Sequence, residues 1–436
     1  MTTLEEIAKA EKVLILGFAR EGQSTYRFLR QEFPDLKIGC SDKATPDELP
    51  VDQNTSFHFG SDYLKQLQEY PLIVKSAGIS PHIPEIKAAQ ESGINFTSHT
   101  QLFFEKCQSK RIIGITGTKG KSTTATLIHH ILEVANQNSV LVGNIGIPAL
   151  DSLKDITENT NVVFELSSHQ LLDLHRSPSI AVLLPIFQDH LDYHSGMEEY
   201  RTAKLNITKY QSVEDFFVCH DSHKNVKTNA RTVVFTESEL PSYIKSNLVG
   251  EHNKINVMAA MNVAVILGID KDIIKSAVAS YKQLDLRLQR YGPYNQITFV
   301  VDTLATIPEA TIAAIDAVKP HTLIAGGYER NQDYKKLAEK IIESNVEVLI
   351  LFPTTGSRIR LEVNSLLKQE KQEIVSVEAN SMEEAVAHAY KYTPPNKTCL
   401  LSPAAPSFSI FKDYKDEAEQ FHNCVKKFGK DALKWR

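Results

Sequence analysis

Residues 114–124 read GITGTKGKSTT. They follow the basic-then-apolar run Lys110-Arg111-Ile112-Ile113 and precede ATLIHHILEVA, whose apolar residues recur at helical spacing. Strand, glycine loop and helix in that order constrain the chain more than any other segment, because they aim backbone N–H groups and the positive end of a helix at one point. Gly117 and Gly120 let the backbone approach an anion closely, with Thr118 and Lys119 between them. Lys121 can reach between the outer phosphates of a nucleotide, and Ser122 or Thr123 can ligate Mg²⁺. An ATP site is expected. The strict form of this loop has a glycine five positions before Gly120, where Ile115 stands here, so the loop is a shorter variant. A glycine-rich turn with no ligand would leave the lysine, serine and two threonines at the helix start unexplained.

With 436 residues the chain is too long for one ordinary core, and three domains are expected. A net charge of -5 with interspersed signs gives no basic surface of the kind nucleic acid requires. No apolar run approaches the ~20 residues of a membrane span, and the opening MTTLEEIAKAEK lacks the basic and apolar regions of a secretion signal. A cytoplasmic monomer acting on small molecules is expected, with the five scattered cysteines reduced and buried.

Along the chain, KVLILGF reads as a strand entering the glycine loop Gly17–Ser24, with Arg20 and Glu21 inside it, and TYRFLRQEF as the helix that follows. A second strand, LKIGCSD, ends in Asp42 about twenty residues on, where a Rossmann-like unit would touch a ribose. A third, YPLIVKSAGIS, ends in a turn at Gly78. The glycines do not form G-x-G-x-x-G, so a nucleotide-diphosphate site and a structural loop both remain open. From about residue 100 the strands SVLVGNIG, NVVFELSS, IAVLLPIF and DFFVCHD alternate with helices, and HNKINVMAAMNVAVILG reads as a helix closing that section. Four further strands, ITFVVD, HTLIAGG, VEVLILFP and KTCLLSP, mark a third α/β unit. The expected domains are 1–99, Rossmann-like; 100–284, a parallel-sheet phosphate-loop ATPase type; and 285–436, again Rossmann-like α/β.

Several motifs join the phosphate loop in order: Gly143-Asn144-Ile145-Gly146, Glu165-Leu166-Ser167-Ser168-His169-Gln170, Asp189-His190-Leu191-Asp192, Lys204, and His252-Asn253 with Asn256. That set resembles the Mur ligases, ATP-dependent amide-forming enzymes of peptidoglycan synthesis. Within the family, GFAREGQS, KSAGISP, GGYERNQD and LSPAAPSFSIFKDY look most like the branch that adds glutamate to UDP-N-acetylmuramoyl-L-alanine. The resemblance implies an acyl-phosphate intermediate that the amine attacks. It implies a UDP-substrate domain first, an ATP domain in the centre and a glutamate domain last, closing over the nucleotide. Gly17, Arg20, Glu21, Asp42 and Gly78 fall in the first, where Arg20 could pair with the diphosphate or be solvated.

The resemblance places Glu165, His190 and Lys204, the last as a carbamate, around Mg²⁺. The plainer readings are a strand-end cap, a turn residue and an exposed helix lysine. Asn144 and Ser168 would contact the muramoyl substrate or support the metal shell; Asn256 would meet adenine; Arg287 and Asp302 would approach ATP. Thr306, Arg330, Ser407 and Tyr414 match the glutamate-binding region. The chain departs from the family at Leu304, where a lysine is usual, at Arg330 in place of a lysine, and at Leu286 in place of a histidine. Arginine can grip a carboxylate with two parallel bonds, so glutamate recognition survives the exchange, whereas leucine cannot replace an ammonium. The A-T-x-P and G-G-x-x-R-x-x-D combination also looks like a branch that adds L-glutamate; D-glutamate is favoured. A phosphotransferase would account for the loop but not for the Glu165, His190 and Lys204 set, whereas a non-catalytic nucleotide-binding module, a duplicated ligase that lost activity through Leu304, stays open as the alternative.

Overall fold

The computed structural model describes every residue except Met1, Asp47, Asp192, Val249, 368–372 and 432–436. Three sheets form. Strands β1 (Lys12–Leu16), β2 (Lys37–Asp42), β3 (Thr55–Phe59), β4 (Leu72–Lys75) and β5 (Asn95–Thr97) make a parallel sheet in the order β3-β2-β1-β4-β5. Strands β6 (Arg111–Thr116), β7 (Ser139–Gly143), β8 (Asn161–Glu165), β9 (Ile180–Leu183), β10 (Phe216–His220) and β11 (Arg231–Phe235) make a second parallel sheet, ordered β11-β10-β9-β6-β8-β7. The third holds β12 (Gln289–Tyr294), β13 (Ile297–Val301), β14 (Thr322–Ala325), β15 (Val348–Leu351), β16 (Val375–Glu378) and β17 (Thr398–Leu401), ordered β12-β13-β17-β14-β15-β16. It is mixed, because β12 runs antiparallel to β13.

The inner strands are largely apolar because helices cover both faces, and even their polar residues can be buried: every residue of β8 is, Asn161 and Glu165 included. The phosphate loop leaves β6, whose neighbours are β8 on one side and β9 on the other. Chain order reverses there, which opens a crevice at the carboxyl ends of the strands. In the third sheet β17 is inserted between β13 and β14, so the loops after those three strands also meet at one edge.

By contacts the chain divides into two compact units, 1–186 with 190–244 and 256–278, and 187–189 with 245–255 and 279–436. The first two sheets fall in one unit because they share a core, running from Ile7, Val13 and Phe28 through Leu102 and Phe103 to Val162, Phe164 and Phe217. Phe103 stands edge-on to Phe164 at 5.3 Å, and Arg27 grips Asp151 with Nε and Nη2 at 3.2 and 2.6 Å. Cys40, Cys219 and Cys399 are buried and all five thiols are free.

Candidate active site

The loop after β6 turns through Gly117 at φ +151° and Gly120 at φ +88° into the helix Lys121–Val134. A Cβ on Gly117 would lie 2.6 Å from Leu184 Cβ, and one on Gly120 2.2 Å from Asn256 Oδ1. The glycines are therefore sterically required. Gly120→Ala is expected to lower stability by about 1–3 kcal/mol from the left-handed backbone alone and to raise KM for ATP; an unchanged melting temperature and an unchanged KM would refute the packing argument.

Lys121 Nζ donates to the carbonyls of Gly117 (3.0 Å) and Thr118 (2.8 Å), which curls it over its own loop. Thr118 is buried, its N–H bonded to Pro185 O at 3.0 Å and its hydroxyl 2.9 Å from Tyr200 OH. Ser122 and Thr123 begin the helix; Lys119 is half-buried. Asn256 lies beneath the loop, its Oδ1 accepting from Thr124 Oγ1 at 3.3 Å.

Helix Met197–Lys209 presents Lys204 inward. The side chain is 1% exposed, with Nζ 2.8 Å from Gly117 O and 4.6 Å from the Tyr200 ring centroid. An exposed, solvated lysine is excluded by that burial. Glu165, at the end of β8 and 1% exposed, accepts from Asn144 Nδ2 at 3.0 Å through Oε1. Its Oε2 is buried and has no hydrogen-bond partner among the described residues. Glu165 therefore does not cap the next helix: Ser167 does, through the N–H of Gln170. Ser168 Oγ pairs with His194 Nε2 at 3.0 Å. His190 takes a left-handed backbone, φ +55°, and its ring meets His169 edge-on at 4.8 Å. Asp192, in the same motif, lies outside the described residues. Among the described residues no three His, Cys, Asp or Glu side chains gather as a metal site.

The first glycine loop behaves differently from the expectation. Gly17 is required, since a Cβ there would lie 2.6 Å from Ser76 Cβ. Arg20 is exposed and its guanidinium donates to Gly146 O, so it is solvated but tethered rather than free to turn at no cost. Glu21 accepts from Gln170 Nε2 at 2.8 Å, and burial raises its carboxyl pKa above the usual range against the opposing pull of that bond and of Arg20. Both residues open the helix Arg20–Glu32, and they fasten it to the loop after β7 at Gly146 and to the short helix after β8 at Gln170. Asp42 receives the N–H groups of Phe18 (2.6 Å) and Ala44 (2.9 Å), so its carboxylate already braces the loop. Gly78 meets no steric demand: a Cβ there would touch nothing within 4 Å. The carbonyls on either side of it, of Ala77 and Ile79, accept from Tyr193 OH at 2.8 and 3.1 Å.

In the second unit, the loops after β14 and β17 are zipped together, Gly326 N to Pro403 O and Tyr328 N to Pro406 O, both at 2.8 Å. Arg330 extends from this pair, its side chain 14% exposed and Nη1 3.7 Å from Asp189 Oδ1. Ser407 is buried at the end of the β17 loop, while Tyr328, Phe408 and Tyr414 stand exposed around it. Asp302 is buried just after β13, its N–H bonded to Leu401 O at 2.8 Å; Thr306, four residues on, is half-buried. Arg287 Nε is buried without a hydrogen-bond partner among the described residues, and after burial its charge is the second cause that lowers the His252 pKa.

Residues 11–98 match the Mur ligase MurD-like N-terminal domain, 115–236 the Mur ligase middle domain and 286–405 the Mur ligase glutamate ligase domain. The UDP-N-acetylmuramoylalanine--D-glutamate ligase of Acetivibrio thermocellus is 32% identical over 96% of both chains. The chain belongs to the Mur ligase family. A UDP-N-acetylmuramoyl-L-alanine--L-glutamate ligase from a Micromonospora species is 31% identical, over 96% of this chain and 97% of that one. The fold agrees with a MurF ligase from Thermotoga maritima in complex with ADP, with a TM-score of 0.60 at 16% identity over 95% of each chain.

Sequence reasoning within the family missed Tyr200 and His194, and quoted His169 in a motif without giving it a role. Tyr200 could have been found, since it lies one helical turn before Lys204 and so shares its face. The ring cluster of His169, Tyr193 and His194 joins separate segments and had no local signal.

Proposed function

We propose that this chain joins D-glutamate to UDP-N-acetylmuramoyl-L-alanine with cleavage of ATP, as a cytoplasmic monomer, through an acyl phosphate of the alanine carboxylate. The observation that carries the reading is the pairing of the phosphate loop with Glu165, a buried carboxylate at the end of the neighbouring strand, one oxygen of which has no hydrogen-bond partner among the described residues. The alanine carboxylate and the γ-phosphate repel, so positive charge must stand between them, and Lys121 is placed to supply it.

The donor set fits Mg²⁺. A hard cation wants oxygen ligands and completes its shell with phosphate, and Glu165 Oε2 with the Ser122 or Thr123 hydroxyl offers such oxygens. When bound, the ion neutralises charge on the transferring phosphoryl group. His190 is the ligand assigned by resemblance for a second ion. Lys204 as an ammonium donates to Gly117 O and cannot ligate; only its carbamate could.

The chain's own residues then hold the loop, orient Lys121 and exclude water. In the second unit, Arg330, Ser407 and Tyr414 are the residues the family resemblance gives to glutamate, and Arg287 and Asp302 those it gives to ATP. The reading assigns the UDP-substrate, ATP and glutamate roles to 1–99, 100–284 and 285–436.

The L-glutamate relative at nearly the same identity makes the enantiomer the point to test. Phosphate release from ATP, Mg²⁺ and UDP-N-acetylmuramoyl-L-alanine is expected only when D-glutamate is added. Release with L-glutamate alone would reassign the substrate, and release without either would make the chain a phosphotransferase.

A further inference from the structure

Glu417, in the first turn of the helix Tyr414–Asp431, has 0% of its surface exposed. A hydrogen bond joins its Oε2 to Ser407 Oγ, ten residues earlier, and its Oε1 is buried without a partner among the described residues. No cation stands among the groups that act on it. Burial pushes the carboxyl up to about 8, the Ser407 bond opposes that, and the charge of Asp416 adds to it.

An isolated buried carboxylate is costly, and the group avoids the cost by staying protonated. A protonated carboxyl can donate to the serine oxygen, which leaves the serine's own hydrogen to be given elsewhere. An ionised one would take that hydrogen itself, and the serine would present only lone pairs. Ser407 closes the loop zipped to the Gly326–Tyr328 segment, from which Arg330 also extends.

We propose that Glu417 is a positioning residue of the amino-acid pocket, holding Ser407 so that the serine hydroxyl donates to the side-chain carboxylate of the incoming glutamate. This rests on the reading that Ser407 contacts glutamate. Nothing in the sequence signals it, because an acidic residue in the first turn of a helix is ordinary.

The test measures KM for glutamate, for ATP and for the UDP-linked acceptor in E417L, E417Q, S407A and the E417L/S407A double variant, each with its melting temperature. E417L keeps a side chain of similar size but cannot donate. It is expected to raise KM for glutamate about ten-fold, the worth of one hydrogen bond, with the other two constants within about two-fold. E417Q donates through its amide and is expected to restore most of that loss. S407A should match E417L, and the double variant should be no worse than either. If S407A alone leaves KM for glutamate unchanged, the assignment of Ser407 fails and the proposal falls with it. If S407A raises KM but E417L does not, raises all three constants alike, or adds fully to S407A, the role of Glu417 alone is overturned.

Discussion

Lys121→Ala is expected to lower turnover by about 10²–10³-fold, the range found when one charge-stabilising donor is removed from a preorganised site, while the melting temperature stays within a few degrees. The two effects separate because Lys121 is only half-buried and its bonds are to carbonyls of its own loop, which water can satisfy in its absence. Those bonds pre-place the ammonium at the mouth of the cradle, so the charge is present before the γ-phosphate moves. Glutamate-dependent phosphate release and a thermal scan check it. A near-normal rate would remove Lys121 from the mechanism.

Lys204→Ala is expected to be as severe for turnover and also to destabilise the fold. The lysine is 1% exposed, and its loss leaves the Gly117 carbonyl without that donor and the Tyr200 ring without its cation. That carbonyl still receives Lys121 Nζ at 3.0 Å, so the cost comes mainly from emptying a buried space, about 2–5 kcal/mol for a large side chain cut back to alanine. Lys204→Met keeps the bulk and separates packing from chemistry. If a carbamate is the working form, formate or acetate should partly restore turnover to the alanine variant by supplying carboxylate oxygens in the space left. No rescue by any short carboxylate, with the fold intact, would leave Lys204 as a brace of the phosphate loop and nothing more.

The twelve strands read from the sequence all form; the five that were missed, β3, β5, β11, β12 and β16, are all edge strands. An edge strand is covered on fewer sides and so loses the continuous apolar run that betrays an inner one. In β11 only Phe235 is buried, and in β12 and β16 no residue is. The phosphate loop was legible because its chemistry is written in consecutive residues. The roles of Arg20 and Glu21 were not, because their partners Gly146 and Gln170 lie more than a hundred residues away. Glu417 was silent for the same reason: its meaning is set by burial, which an acidic letter in the first turn of a helix does not predict.

The apolar residues common to the first two sheets bear on any attempt to exchange parts with a relative. Trading residues 1–98 for a homologous segment would replace one half of an interlocked interior, Val13 and Phe28 among it, against an unaltered half containing Phe164 and Phe217. Such a chimera built from this chain is expected to aggregate, or to melt early, before any change in acceptor preference can be read from it.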